Sequence, residues 1–293
     1  MRRRGWALLR ASHPEPAAAV TTLSGVLAVG GGHPPASAAL VVGAVAASQL
    51  AIGWVNDAVD ARRDAAVGRA DKPVAAGRLS ARAAYAAGAL AAVACGALSL
   101  ATGLVPGLVM IAALVSALAY DWPLKGTPAS VLPYAFSFGA LPAFVVLAGP
   151  GRPWPPAWLV AAGALLGAGA HFANALPDLA DDARTGVRGL PQRLGRTRSR
   201  AAGGALLAAA TAVLIAGPAG PPAWWGWATL AGAGAVLAWG AHADRRAARA
   251  GNRTIYTFRA VMIVAVLDVA LLVAGARDTG QGPAPGVDLG HLG

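Results

Sequence analysis

Apolar runs of roughly 20 residues, the length an α-helix needs to cross a bilayer, alternate with short polar segments along almost the whole chain. The runs are continuous and do not alternate between apolar and polar positions, which excludes a membrane β-barrel. The pattern therefore predicts an all-α polytopic membrane protein with nine transmembrane helices. The predicted spans are 17–31, 37–59, 81–101, 104–120, 129–148, 157–180, 200–217, 223–242 and 255–275.

The connecting segments differ between the two predicted membrane faces. On one face they are short and rich in Gly and Pro, whereas on the other they are longer and basic. Of the 24 Lys and Arg residues, only Arg152 and Arg277 fall on the Gly/Pro-rich face. Because Lys and Arg accumulate on the cytoplasmic side of membrane proteins, we expect a multi-pass cell-membrane protein with a cytoplasmic N-terminus and an external C-terminus.

Composition agrees with this class of protein. Hydrophobic residues make up 56% of the chain and charged residues 13%, about half the charged fraction of a soluble domain. The net charge of +11 is concentrated in the basic loops, and no nucleic-acid-binding motif is present, so we expect no nucleic-acid partner. We treat residues 1–276 as one domain and predict that the Gly- and Pro-rich segment 277–293 is a disordered tail.

Two segments on the predicted cytoplasmic face repeat one polar pattern, an amide followed by two carboxylates at four-residue spacing. The first row is Asn56, Asp60 and Asp64, and the second row is Asn174, Asp178 and Asp182. On a helix this spacing places side chains on one face. Solvated helix ends balanced by nearby arginines are the simpler interpretation. However, carboxylates at membrane helix ends are costly unless they are paired or bind cations, and the repeat favours a divalent-cation site for a phosphate-bearing substrate.

Five segments, in this order along the chain, resemble the motifs of the UbiA superfamily of intramembrane prenyltransferases. They are NDAVDARRD (56–64), KPVAAGRLS (72–80), YDWPLK (120–125), DLADD (178–182) and GVRGLPQRLG (186–195). The first resembles the NDxxDxxxD signature and the fourth resembles the second DxxxD motif. The chain departs from the family pattern at Ala175, where Asp is common, at Asp71-Lys72 and at Gly189.

The resemblance implies nine helices around a central cavity, in which two Mg²⁺ ions bind the diphosphate of a polyprenyl donor. The implied metal ligands are Asn56, Asp60, Asp64, Asp178 and Asp182. Asp57 belongs to the signature but lies about 100° around the helix from Asn56, so we expect a supporting role. Asp181 lies off the second row and is expected to pair with Arg184, and a ligand role for Asn174 stays open.

Several further residues are candidates for contact with the substrate. The predicted diphosphate contacts are Lys72, Arg78, Lys125, Arg63 and Arg188, although each arginine is equally compatible with a topology signal. Tyr120 could hydrogen-bond the diphosphate or face a carbocation, or it could anchor the helix at the interface. His13 could contact the acceptor or simply lie at the interface, and His171 could line the cavity or pack between helices.

These features predict Mg²⁺-dependent transfer of a polyprenyl group to an aromatic or other lipid-forming acceptor at the cytoplasmic membrane face. The implied partners are a polyprenyl diphosphate donor, the acceptor and membrane lipid. An intramembrane terpene cyclase would need the same metal and diphosphate site, so the motifs leave this alternative open. A transporter with repeated ion sites would place them near the membrane midplane, whereas both rows lie at one predicted edge.

Overall fold

The computed structural model describes residues 2–222, 224–250 and 255–278, which form helices joined by turns and loops without any strand. The helices are α1 (Arg2–Ala11), α2 (Pro14–Gly30), α3 (Pro35–Ala66), α4 (Ala81–Ala101), α5 (Leu104–Asp121), α6 (Val131–Ala148), α7 (Ala157–Ala175), α8 (Leu179–Thr185), α9 (Leu190–Ala216), α10 (Trp224–Arg249) and α11 (Tyr256–Asp278). Two short 3₁₀ helices, Leu124–Gly126 and Pro128–Ser130, connect α5 to α6.

The long helices correspond in order to the nine predicted spans, and the predicted all-α polytopic class is confirmed. Six helices in the described part of the chain are long and apolar enough to cross a membrane, namely α3, α4, α5, α6 with its preceding 3₁₀ turn, α7 and α9. The other three predicted spans lie in α2, α10 and α11. Of these, α2 has 17 residues.

The predicted span 157–180 is wrong at its end, because α7 stops at Ala175 and residues 176–178 form a turn before α8. Pro177 explains the break, since proline lacks an N–H group and its ring clashes with the carbonyl four residues earlier. Several helices also extend past the predicted spans: α3 continues to Ala66 and α10 to Arg249. Helix α11 continues to Asp278, into the predicted tail, while the rest of that tail lies outside the described residues.

Neighbouring helices pack against each other around a closed ring. Helix α3 packs on α4, α6 packs on α5 and α7, and α7 packs on α9, while α11 contacts α10, α9, α7 and α2. Small residues allow the closest approaches. A Cβ atom on Gly167 of α7 would lie 2.4 Å from the backbone oxygen of Tyr134 on α6, so this crossing requires glycine. The ring surrounds a cavity whose lining includes residues near the C-terminal ends of α3 and α7.

Candidate active site

The first row lies on one uninterrupted helix, as its spacing predicts. Asn56, Asp60 and Asp64 all belong to α3 and all line the cavity. Asp57 faces away from the cavity and is almost fully buried. Its Oδ2 accepts a hydrogen bond of 3.0 Å from the backbone N–H of Val74. Asp57 therefore holds the loop between α3 and α4 against the helix, which is a supporting role.

Asp60 is the most strongly paired member of the first row. Its carboxylate contacts the guanidinium of Arg63 and the ammonium of Lys125, which comes from the 3₁₀ helix after α5. Burial lowers the pKa of Lys125, but the Asp60 carboxylate raises it by more, so the net shift is upward and the lysine stays charged. Asp60, Arg63 and Lys125 therefore form a charged cluster at the cavity wall.

Asp121 belongs to this cluster, although the sequence analysis did not select it. Asn56 donates a 2.7 Å hydrogen bond from Nδ2 to Asp121 Oδ1, and the same amide lies 3.5 Å from Asp60 Oδ2. Asp121 lines the cavity and is 5% exposed. The available signal was its place in the last turn of an apolar helix, where a carboxylate is costly without a partner.

The second row is divided by the helix break at Pro177. Asn174 is on the last turn of α7 and donates a 3.0 Å hydrogen bond to the hydroxyl of Tyr134, whereas Asp178 precedes α8 and Asp182 lies within it. The prediction of one continuous helical face is therefore wrong for this row. All three side chains nevertheless line the same cavity as the first row.

Asp182 receives a 2.7 Å hydrogen bond from Gln192 Nε2 at the start of α9. Burial raises the pKa of the Asp182 carboxyl, and the hydrogen bond from Gln192 offsets part of this effect. Asp181, which lies off the row, contacts Arg184 as predicted.

Arg69 joins the two halves of the site and was also missed from the sequence. Its Nη1 lies 3.0 Å from Asp178 Oδ1, and its Nε and Nη2 each lie 3.1 Å from one oxygen of Asp71. Burial lowers the pKa of Arg69, but Asp71 and Asp178 raise it by more, so the guanidinium is firmly charged. In the sequence, Arg69 is distinguished only by its position in a basic loop, and many other arginines share that feature.

Lys72 and His13 form a second polar contact at the cavity wall. Lys72 Nζ lies 3.0 Å from His13 Nε2 and 3.6 Å from Asp57 Oδ1. Burial and the Lys72 charge lower the pKa of His13 to about 3, so its imidazole is neutral and accepts a hydrogen bond from the ammonium. The turn that carries His13 is fixed by α1, whose Leu8 backbone oxygen accepts a 2.8 Å hydrogen bond from Trp54 Nε1.

An aromatic group lies beside the charged residues. Tyr120 and Tyr134 both line the cavity and meet edge to face with ring centroids 4.9 Å apart, a favourable geometry for aromatic pairs. His171 packs behind them. It is 1% exposed, its Nε2 lies 3.1 Å from Ser130 Oγ, and it is absent from the cavity lining of the described residues. This placement favours helix packing for His171.

Two of the predicted diphosphate contacts lie away from the cavity. Arg78 is exposed, and its guanidinium donates to the backbone oxygens of Ala70 and Asp71 within its own loop. Arg188 is exposed between α8 and α9, where its backbone oxygen accepts a hydrogen bond from Arg193. The structure therefore brings Lys72, Lys125 and Arg63 together at the cavity but leaves these two arginines outside it.

The cavity has a volume of about 390 Å³ and two chemically different regions. One end carries both rows and the cationic side chains. The remainder is lined by apolar side chains such as Leu23, Met110, Leu141, Leu166 and Met262. Such a cavity can take a molecule with an anionic head and a long apolar chain.

The oxygen donors at the polar end suit a divalent cation that also binds water and substrate. Asp64 Oδ2 and Asp121 Oδ2 are buried without a hydrogen-bond partner. No three His, Cys, Asp or Glu side chains in the described ranges group closely enough to hold a metal ion by themselves. Mg²⁺ keeps several waters and commonly binds through one or two carboxylates plus substrate phosphates. Two rows of separate carboxylates fit that coordination.

Comparison with known proteins agrees with these features. The model of the UbiA prenyltransferase family matches residues 18–267. A search of curated proteins gave no match.

Three solved structures illustrate the likeness of fold. The apo structure of a UbiA homolog from Aeropyrum pernix K1 has a TM-score of 0.69 and 23% identity, covering 89% of this chain and 98% of that one. A UbiA homolog from Archaeoglobus fulgidus, bound to GPP and Mg²⁺, has a TM-score of 0.69 and 18% identity, covering 92% and 99%. A digeranylgeranylglyceryl phosphate synthase structure has a TM-score of 0.65 and 15% identity, covering 95% and 100%. Because the family model spans most of its length, this chain belongs to the UbiA prenyltransferase family.

Proposed function

We propose that this protein transfers a prenyl group from a prenyl diphosphate to an aromatic or other lipid-forming acceptor, in a Mg²⁺-dependent reaction at the cytoplasmic membrane face. One observation carries the proposal. The carboxylates of both rows, together with Lys72, Lys125 and Arg69, line one end of a cavity whose remainder is mostly apolar. An amphiphile with a diphosphate head matches both regions.

The charges at the polar end favour a metal–diphosphate complex over a free diphosphate. The four cationic side chains at this end are offset by four carboxylates, so little net positive charge is left for a free diphosphate, and divalent cations would supply it. Asp60 and Asp64 on one side, and Asp178 and Asp182 on the other, are the residues that would hold Mg²⁺, with Asn56 as a further oxygen donor. When bound, Mg²⁺ stabilises negative charge on the departing diphosphate. The Archaeoglobus fulgidus homolog structures with Mg²⁺ and either GPP or DMAPP support the use of Mg²⁺ with a prenyl diphosphate.

The cationic side chains have separate roles from the carboxylates. Lys72, Lys125, Arg63 and Arg69 all line the cavity and can donate hydrogen bonds to diphosphate oxygens, which favours cleavage of the allylic C–O bond. The paired rings of Tyr120 and Tyr134 lie next to this end, and aromatic faces attract cations. The apolar walls exclude water, which would otherwise capture an allylic cation.

The membrane orientation follows from the distribution of charge. The loops that carry both rows hold about half of the 24 Lys and Arg residues, and such basic loops remain in the cytoplasm. The polar end of the cavity would then open toward the cytoplasm, where water-soluble diphosphate products leave.

Pyrophosphate release provides the direct test. Purified protein in lipid nanodiscs is given geranyl, farnesyl or geranylgeranyl diphosphate with candidate acceptors, with Mg²⁺ or with EDTA. We expect Mg²⁺-dependent release and a prenylated acceptor by mass spectrometry. Asp60→Asn and Asp178→Asn should each lower the rate about a hundredfold or more. The exposed Arg198→Gln on α9 serves as the matched control.

Two outcomes would count against the proposal. If no donor releases pyrophosphate, or if both Asp variants keep the wild-type rate, the assigned site is not the reaction centre. A hydrocarbon product formed without any acceptor would instead identify a cyclase that uses the same polar end.

A further inference from the structure

A carboxyl group far from both rows lines the apolar region of the cavity. Asp268 of α11 is 2% exposed and belongs to the cavity lining. Its Oδ1 accepts a 2.9 Å hydrogen bond from Thr211 Oγ1 on α9, whereas its Oδ2 is buried without a partner. The family match ends at residue 267, so it assigns nothing to Asp268.

Asp268 lies well away from the diphosphate end. Near that end, Arg259 of α11 pairs with Glu15, two residues after His13, at a distance of 3.3 Å. Asp268 is nine residues further along α11, which corresponds to about 14 Å of helix. Its surroundings are apolar: Leu159 and Leu214 pack in one apolar cluster with Leu271 of α11, and both of them line the cavity, as does the adjacent Val269. The carboxyl therefore cannot share a bound diphosphate with the two rows.

A hydrogen bond that only joins α9 to α11 does not explain why Asp268 has a second oxygen without a partner. Thr211 Oγ1 also lies 3.3 Å from the Leu207 backbone oxygen, so its single proton serves two acceptors. The second oxygen of Asp268 has no such contact. Intramembrane carboxyls are rare, face the bundle interior or a cavity, and mark substrate paths. A hydrocarbon chain lying over Asp268 would leave that oxygen unsatisfied.

A hydroxyl is the ligand group that fits this position. It can donate to an ionised carboxylate and accept from a protonated carboxyl, so it satisfies Asp268 in either state. A carbonyl would satisfy only the protonated form. A charged group would be disfavoured by the apolar walls.

We propose that Asp268, held in place by Thr211, forms a second polar subsite, which binds a hydroxyl group carried on the distal part of the prenyl chain. The inference rests on the proposed function, since it requires the cavity to bind a lipid with its head at the two rows. The subsite selects oxygenated chains over pure hydrocarbon chains of the same length.

Binding of unreactive analogues tests the subsite. The probes are the S-thiolodiphosphates of geranyl, farnesyl and geranylgeranyl chains, each with and without a terminal hydroxyl. The three lengths place the hydroxyl at three depths. For at least one length, the wild-type protein should bind the hydroxylated probe about tenfold more tightly, corresponding to about 1.4 kcal/mol. Asp268→Leu should remove this preference, and Asp268→Asn should retain part of it.

Ser137→Ala is the matched control, because Ser137 also lines the cavity but donates a 2.9 Å hydrogen bond to Ala113 and is already satisfied. It should leave the preference unchanged. If Asp268 had a purely structural role, its substitution would alter the stability of the unliganded protein without altering the ratio of the affinities for the two probes.

The inference is overturned if the wild-type protein binds both members of every pair equally, a result that needs no variant to fold. It is also overturned if Asp268→Leu keeps the wild-type ratio. If neither probe of any pair binds, and pyrophosphate release is also absent, the failure lies with the proposed function instead.

Discussion

Replacement of Gly53 by alanine should disturb the site, although Gly53 contacts no residue of the charged cluster. Gly53 lies on α3 directly against the turn between α1 and α2. A Cβ atom there would lie 2.6, 2.7 and 2.8 Å from the backbone O, C and Cα of Ser12. Ordinary contacts begin at 3.4 Å, so the turn must move by about 0.8 Å. All three atoms belong to the backbone, so no side-chain rotation relieves the clash.

This displacement is transmitted to His13, which follows Ser12 and has a strained backbone with φ of 52°. His13 Nε2 lies 3.0 Å from Lys72 Nζ, and a shift of about 0.8 Å away from the lysine stretches that contact past a normal hydrogen bond. We expect Gly53→Ala to lower the free energy of unfolding by about 1–3 kcal/mol. Affinity for a prenyl thiolodiphosphate should fall about three- to tenfold, because one neutral acceptor that positions Lys72 is lost.

Thermal unfolding and analogue binding in nanodiscs measure the two effects. Gly204→Ala is the matched control, because a Cβ atom at Gly204 in α9 has open space around it. Alanine there should leave binding unchanged and stabilise the helix by about 0.5–1 kcal/mol. Wild-type stability and affinity in Gly53→Ala would refute the reasoning that this close approach positions Lys72.

Three further predictions address the site and its orientation. Lys125→Gln should lower the rate of pyrophosphate release about a hundredfold. Arg188→Gln should keep this rate within about twofold of the wild type, because Arg188 is exposed outside the cavity. Equal losses of rate in the two variants would contradict this placement. His13, with a pKa of about 3, should remain neutral from about pH 8 to about pH 4 by ¹⁵N NMR, assigned with His13→Gln. Since this pKa lies below the unfolded value of about 6.5, its contribution to stability is present above pH 6.5 and is lost as the pH falls. The orientation is tested in a variant that lacks the single cysteine. In this variant, Arg152→Cys should react with an impermeant maleimide added outside intact cells, whereas Arg193→Cys should react only after permeabilisation. The reverse result would show that the topology is opposite to the predicted one.

The helices and the first row were predictable because their signals are local. The length of an apolar run fixes a spanning helix, and four-residue spacing on an uninterrupted helix places Asn56, Asp60 and Asp64 on one face. The same reasoning failed for the second row, where Pro177 ends α7. That proline was visible in the sequence and should have limited the predicted span. The second row still reaches the cavity because the turn and α8 carry it there.

The missed residues depend on contacts between distant parts of the chain. Asn56 and Asp121 are 65 residues apart, and Arg69 and Asp178 are 109 residues apart. No periodic pattern in one sequence specifies such pairs. Arginines in basic loops add a second difficulty, since the topology signal that places them is the same for residues inside and outside the cavity. Arg69 and Arg188 look alike in the sequence and are separated only by the fold.

Hydrogen-bond satisfaction and a position in the cavity wall, taken together, separate buried carboxyls that hold the fold from those available to a ligand. Asp244 of α10 and Asp268 of α11 are equally buried, at 2% exposure. Both oxygens of Asp244 accept backbone N–H groups, from Tyr256 at 2.8 Å and Thr257 at 3.0 Å, so it caps the start of α11 and has little capacity left. Asp268 and Asp64 each keep one buried oxygen without a partner, and both line the cavity. Because an unsatisfied buried oxygen costs stability, its retention in a cavity wall is best explained by a ligand that completes it. By this criterion the cavity has two polar contact points, one for the head of a lipid and one along its chain.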